Sequence, residues 1–453
     1  MKVISKKTFS RIILCLTLFL VIASAKAQPF YTIPKLSNVA EFKNNLSNTA
    51  WLLKTGNANK TEIRILIYGQ SISVQTWWQD VEKYFKKTYP HLNIQVTNKA
   101  IGGFSSDRLK LVVNNDVIST YPDLILFHDY GGEPDYETII QTIRKRTTAE
   151  IALQSDHMAD QSQAWHDQHS QVFLPTMCRK YGLAFIDVRT AWKDYLKSNN
   201  LKISDLLVDG VHLNDHGNYL MAGIVTKYLD NLKSITPVSK FSKMLKPGKD
   251  FIIKNNTTAF SANGNRVDII WKAGKAGGKP LTVLVDKRNP SGLTESYYYS
   301  RPSFHQNYFY LERMGQLLAM SLNTHNEESW MLTVLDVDSI SQNIHFSIKG
   351  SVTGEDGTGN SNSAFVSKSG KICINPEGWF KKNSPGDFSN FNYTKAGDIL
   401  YWEVKAMSKD QVKASAASST IVQGLANQQH QLQLKGESIN NIQAIKVYQP
   451  PLK

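Results

Sequence analysis

Cysteine is nearly absent: the 453 residues hold three, and one of them, Cys15, lies in an apolar run at the front of the chain. The other two, Cys178 and Cys373, fall in stretches of different character and lack zinc-site spacing, so no disulfide between them is expected and redox or zinc chemistry finds little support. Runs of like charge are missing too. No five consecutive residues carry one sign, which argues against a nucleic-acid-binding tail. No internal repeat stands out, which leaves ordinary globular domains as the frame.

The front of the chain is distinctive. Lys2, Lys6, Lys7 and Arg11 precede an apolar run over 12–23, and Ala25-Lys26-Ala27 follows it. This is the pattern of a secretory signal peptide, too short and wrongly flanked for a membrane anchor. Cys15 lacks the preceding small residue of a lipoprotein signal. The expectation is cleavage before Gln28 and an exported product, periplasmic or extracellular, with no membrane span. Removing the five basic residues of 1–27 from the 52 in the chain leaves 47 against 38 acidic ones, a formal +9. That surplus suits an anionic partner such as an acidic polysaccharide, and equally the surface of an ordinary soluble protein. The remaining 426 residues predict two or three domains.

The first of these is organised around 63–71. Ile63, Ile65, Leu66, Ile67 and Tyr68 form a short apolar run rich in β-branched residues and bounded by Gly69, which predicts a fully buried strand with Ser71 at its carboxyl end. Helical spacing over 77–89, 106–113, 136–146, 168–181 and 191–198 alternates with strand-like runs at 93–96, 123–127, 150–154 and 183–188. This order predicts an α/β domain over 28–232, a parallel sheet sandwiched between helices. In such sheets ligands bind at the carboxyl ends of the strands.

Four loops at those ends carry polar or glycine-rich residues. Ser71 follows Gly69-Gln70; paired glycines stand in Ala100-Ile101-Gly102-Gly103-Phe104; His128-Asp129-Tyr130-Gly131-Gly132-Glu133 follows the third strand; and Asp209-Gly210-Val211-His212 precedes a helix-like run at 218–229. Ser, His and Asp are the parts of a nucleophilic triad, and paired glycines leave N–H groups free to face an anion.

In these blocks the first domain resembles the SGNH (GDSL-like) hydrolase family. Ser71 matches the nucleophile block, with Gln70 where the family often has Asp; Gly103 matches the glycine of the oxyanion hole; Asp209 and His212 match the Asp-x-x-His block. The third block departs from the pattern. No asparagine lies in the loop, and the count from Pro122-Asp123-Leu124 reaches Gly131 or Gly132. The N–H of Gly131, or the side chain of His128 or Tyr130, could take the place of the family's third oxyanion donor. The resemblance implies acyl transfer: Ser71 as nucleophile, His212 as general base, Asp209 orienting the imidazole, and the N–H groups of Ser71 and Gly103 holding the oxyanion. It implies neither metal nor cofactor.

A further polar cluster contains Asp156, His157, Asp160, Trp165, His166, Asp167 and His169. Three readings stand for it: a solvated loop, substrate contact by His157 or Trp165, or a metal held by His166 and His169 on one helical face. Gln70, His128, Asp129 and Tyr130 join His157 and Trp165 as candidate substrate contacts.

Residues 233–248, basic and bracketed by Pro237 and Pro247, read as a linker. Over 249–453, short β-like runs at 266–271, 281–285, 297–299, 332–335, 344–348, 371–374, 399–404, 430–434 and 444–448 predict β-sandwich structure. It would be one large sandwich, or a small one to about Pro302 and then a larger one. The oxygen-rich 354–362 reads as a hairpin tip or a calcium loop. Trp330, Trp379, Phe380, Phe388, Phe391, Tyr393, Tyr401 and Trp402 read as core or as a sugar-stacking surface.

The expectation is an exported carbohydrate esterase. The alternatives are a glycan-binding module with a decayed site, an acyl-transferring enzyme, or a glycosidase using Asp129, Glu133 or Asp209.

Overall fold

The computed structural model describes residues 30–56, 62–160, 162–305, 313–381, 392–415 and 418–453. The signal-peptide reading, Phe388 and Phe391 lie outside the described residues.

Five parallel strands build the first domain: β1 (Glu62–Gly69), β2 (Asn93–Asn98), β3 (Leu124–His128), β4 (Glu150–Gln154) and β5 (Ala184–Ile186), in the order β2-β1-β3-β4-β5. Alternation along β1 divides the core in two. Ile63, Ile65 and Ile67 pack with the helices Ser47–Thr55, Trp77–Thr88, Val188–Ser198 and Asp215–Leu229. Leu66 and Tyr68 pack on the other side, with Ser106–Thr120, Glu133–Arg146 and Leu174–Tyr181. A strand covered on both faces has no polar side to show, hence the unbroken apolar run. Each such buried side chain stabilises the fold by roughly 1.5–3 kcal/mol. Strand order reverses between β1 and β3, which opens a crevice at their carboxyl ends.

The second half is antiparallel throughout its larger sheets. β6 (Ser242–Leu245), β7 (Thr257–Trp271) and β8 (Gly277–Val285) join Gln411–Ala414, Ser418–Lys435 and Ile442–Tyr448 in one six-stranded sheet. Between β8 and Gln411 the chain makes a separate five-stranded sheet, from Tyr297–Tyr299, Glu328–Val337, Ile344–Gly350, Gly354–Asn360 and Ile399–Ala406. Each sheet has its own apolar cluster. The second module is therefore inserted within the first, and does not simply follow it after about Pro302. β6 lies inside the stretch read as a linker.

One other reading is corrected, and of the two offered for the aromatics the core one holds for four of them. Gly354–Asn360 is an edge strand, neither hairpin tip nor calcium loop, and its buried Asp356 accepts the N–H of Ser369 at 2.7 Å. Trp330, Trp379, Phe380 and Trp402 are core, each at most 4% exposed, while Tyr393 is exposed. Cys178 and Cys373 are free thiols.

The halves are joined by buried polar contacts. Asp116, on the helix Ser106–Thr120, accepts from Tyr68 Oη at 2.8 Å and from Arg301 Nε, from beside Tyr297–Tyr299, at 3.0 Å. Met314, Leu318 and Phe380 of the inserted module complete the apolar cluster around Leu66 and Tyr68.

Candidate functional site

Gly69 ends β1 with φ +134°, and a Cβ there would lie 1.8 Å from the carbonyl oxygen of His128. Only glycine lets β1 leave the sheet so close to β3. Gln70 then caps the short helical turn Ser71–Val74, its Oε1 accepting the N–H of Ile72 at 3.1 Å. Ser71 opens that turn, where an N–H has no helical acceptor.

The loop bearing His212 is brought to Ser71 by a reciprocal clamp. Gln75 Oε1 accepts the N–H of Leu213 at 3.0 Å, and Gln75 Nε2 donates to the carbonyl of Leu213 at 3.1 Å. Asn214 caps the following helix by accepting from the N–H of Gly217 at 3.0 Å. His212 Nε2 ends 3.0 Å from Ser71 Oγ, and its Nδ1 lies 2.9 Å from Asp209 Oδ2. Asp209 Oδ1 accepts the N–H groups of Val211 and His212, each at 2.7 Å. The N–H of His212, its imidazole and the N–H of Val211 pull the Asp209 carboxyl down to about 2, so it is ionised wherever the imidazole is to be oriented. The pair is open to solvent, with the Asp209 side chain 54% exposed.

The glycine loop is tied to the same turn. Ile101 donates its N–H to the carbonyl of Gly69 at 2.9 Å, and Asn98 Nδ2 donates to the carbonyl of Ser73 at 2.7 Å. Gly103 sits exposed at the tip with φ +76°, its carbonyl accepting from Arg108 Nη1 at 2.9 Å. In the third block, Gly131 has φ +131°, and a Cβ there would fall 2.5 Å from Ser106 Oγ. The carbonyl of Tyr130 accepts the N–H of Ser106 at 3.0 Å, so this loop and the helix after the glycine loop are joined.

The remaining candidates divide by burial. Tyr130 is half-buried, Trp165 is 39% exposed, and Glu133 is exposed at a helix start. His128, Asp129 and His157 are buried. Burial pushes the Asp129 carboxyl well above the usual carboxylate range, against the pull of the Tyr130 N–H. His157 Nε2 donates to the carbonyl of Val211 at 2.7 Å, which places it behind the Asp209–His212 loop. The solvated-loop reading of its neighbours is replaced by a buried network. His166 Nδ1 lies 2.6 Å from Asp156 Oδ2, and His169 stacks on Trp165 at 4.8 Å between ring centroids. Among the described residues no cluster of three His, Cys, Asp or Glu side chains could hold a metal.

Sequence reasoning missed two residues that hold the site together. Gln75 gave no signal beyond its place shortly after Ser71. Arg189 is fully buried, donating to the carbonyl of His157 at 2.9 Å and to Gln163 Oε1 at 2.6 Å. A charged residue just past a buried strand end, in Asp187-Val188-Arg189, was the available clue.

Chemically, the arrangement presents a hydroxyl to an imidazole backed by an ionised carboxylate, next to a glycine turn. No protein-family model matches the chain, and no curated protein does. Among solved structures, a two-domain esterase (CEX) active on acetylated mannans, co-crystallised with mannopentaose, is 13% identical, with 90% of this chain and 95% of that chain covered, at a TM-score of 0.36. A catalytic mutant of Axe2, an acetylxylan esterase from Geobacillus stearothermophilus, is 19% identical over 37% of this chain and 94% of its own, at a TM-score of 0.34.

Proposed function

We propose that this protein is an exported serine esterase that removes acetyl or other small acyl groups from a carbohydrate. The observation that carries the reading is the line Ser71 Oγ, His212 Nε2, His212 Nδ1, Asp209 Oδ2, with separations of 3.0 and 2.9 Å at its two hydrogen bonds. Ser71 Oγ attacks the ester carbonyl and gives its proton to His212 Nε2. The N–H groups of Ser71 and Gly103, with that of Gly131 as third donor, take the developing oxyanion; one such donor is worth roughly a hundredfold to a thousandfold in rate. His212 then protonates the departing sugar oxygen. Water, deprotonated by the same imidazole, releases the acyl group and restores Ser71.

Carbohydrate as the substrate is supported by Trp165, exposed beside the polar network, and by the two β modules attached to the hydrolase-like domain. The basic surplus suits an acidic polysaccharide. The test is release of p-nitrophenol from p-nitrophenyl acetate by the chain lacking residues 1–27, against Ser71→Ala and His212→Ala, followed by acetylated glycans. Turnover lost in both variants supports the reading, and turnover retained in Ser71→Ala sinks it.

A further inference from the structure

A second imidazole and carboxylate approach the nucleophile through a side chain the triad does not use. Ser71 Oγ lies 2.8 Å from Gln70 Oε1 as well as within reach of His212. The N–H of Ile72 can only donate, so its contact with Gln70 Oε1 at 3.1 Å fixes the amide: oxygen toward Ile72 and Ser71, nitrogen toward His128. Gln70 Nε2 therefore donates to His128 Nδ1, at 2.9 Å. A ring nitrogen that accepts carries no proton, so neutral His128 keeps its proton on Nε2. That atom faces Asp156 Oδ1 at 3.5 Å, an electrostatic contact beyond hydrogen-bond length. The other oxygen of Asp156 takes His166 Nδ1.

Gln70, His128 and Asp156 are 0, 1 and 2% exposed, so water does not supply substitutes freely. Burial pushes the His128 imidazole below its ordinary range, against the pull of Asp156, and so favours the neutral ring.

We propose that His128 is a positioning residue that acts on the nucleophile through Gln70, its Nδ1 locking the amide orientation that holds Ser71 Oγ in reach of His212. The inference rests on Ser71 being the nucleophile. One hydroxyl proton faces two acceptors. Donation to Gln70 keeps Ser71 oriented at rest, and a small rotation delivers the same proton to His212. Without the acceptor at His128, the amide is free to turn, place a second donor against the N–H of Ile72, and release Ser71 from its orientation.

The test uses the chain lacking residues 1–27 and a fluorophosphonate probe, with the rate of adduct formation at Ser71 read by mass. It is run beside kcat and KM on p-nitrophenyl acetate and a thermal melt of each variant. His128→Leu removes the acceptor for Gln70, whereas His128→Asn offers an amide oxygen in its place but does not reach Asp156. His128→Leu is expected to lower labelling rate and kcat by roughly tenfold or more with KM within about twofold, a loss typical of a misplaced reacting group. His128→Asn should recover most of that loss. Should His128→Leu not fold, Gln70→Met, which keeps the length and removes both polar atoms, is expected to show the same kcat loss. Labelling at the wild-type rate in these variants, or equal loss in His128→Leu and His128→Asn, overturns the positioning role. Failure of the wild type to label at Ser71 overturns the serine reading beneath it, and so separates the two.

Discussion

His157 and Val211 are joined across the site: the imidazole Nε2 donates to the main-chain carbonyl at 2.7 Å. A buried side chain at the end of β4 thus holds the middle of the loop whose ends are Asp209 and His212. The N–H of Asp160 supports the same loop through the carbonyl of Gly210, at 2.7 Å. Because the Asp209–His212 pair is solvent-exposed, its placement depends on these contacts from beneath and on Gln75.

Replacing His157 by Phe keeps a ring edge against Trp192, now 5.3 Å away between centroids, and deletes the donor. The expected result is a loss of about 1–3 kcal/mol in stability from the unpaired carbonyl. A drop in kcat of roughly tenfold should accompany it through displacement of His212. Steady-state kinetics with a denaturant melt checks both, and unchanged kcat would show that the loop holds itself.

Burial lowers the imidazoles of His157 and His169 to about 4 each. Below about 6.5 the unfolded chain takes up protons that these folded groups refuse, so their contribution favours folding fully above that pH and fades as pH falls toward 4. Burial of Asp129, which raises its carboxyl, acts with the opposite sign and is common to wild type and variant. His169→Phe should therefore flatten the dependence of unfolding free energy on pH between 7 and 4, by up to about 3 kcal/mol. Parallel curves for wild type and variant in a urea titration at each pH would refute the assignment.

Asp209→Asn should cost more activity than Asp209→Ala. The asparagine keeps the acceptor for the N–H groups of Val211 and His212 but turns a donor toward His212 Nδ1, which forces the proton onto Nε2 and leaves Ser71 without a base; the expected loss is about 10⁴-fold. Alanine leaves the half-exposed imidazole to water and its own tautomer, with an expected loss of about 10²-fold. Measured kcat/KM decides, and an alanine variant as impaired as the asparagine one would sink the tautomer argument.

Two glycines of the site should respond in opposite ways. Gly69→Ala drives a Cβ to 1.8 Å from the carbonyl oxygen of His128 at a φ that alanine avoids, and is expected to cost more than about 3 kcal/mol or prevent folding. Gly102→Ala meets nothing within 4 Å and should change stability by less than about 0.5 kcal/mol. Thermal melts of the two variants test the contrast.

The first sheet was legible because its strands other than β2 are buried on both faces. Residues 63–68 could only be a central strand, and the helices between strands carried their periodicity openly. Helix starts were less so: Val39–Phe42 and Ser47–Thr55 gave no pattern, since their burial includes Asn48 and Thr49, whose N–H groups are held by the distant Glu150 carboxylate at 2.9 and 2.7 Å. β6 buries only Leu245, so it presented no period to read. Gly354–Asn360 buries only Asp356, and backbone pairing to Ile344–Gly350 makes it a strand. The spacing of Asp209 and His212 could be seen in the chain, whereas the meeting of Gln70 with His128, or Gln75 with Leu213, depends on tertiary placement. Core and surface aromatics look alike in a sequence, and Trp330 and Trp402, stacked at 6.3 Å in adjacent strands, were indistinguishable from an exposed platform.

β7 and β8 are neighbours in sequence and never touch as strands, because Ser418–Lys435 runs between them. During synthesis, then, both must wait for the whole inserted module to leave the ribosome before either finds its partner. Long-range pairing of this kind folds slowly and leaves unpaired apolar edges open meanwhile. The C-terminal strands are the keystone of the second half: a chain cut short before Gln411 would keep Ser71, Asp209, His212 and the inserted module, yet leave β6, β7 and β8 without their sheet partners and ready to aggregate.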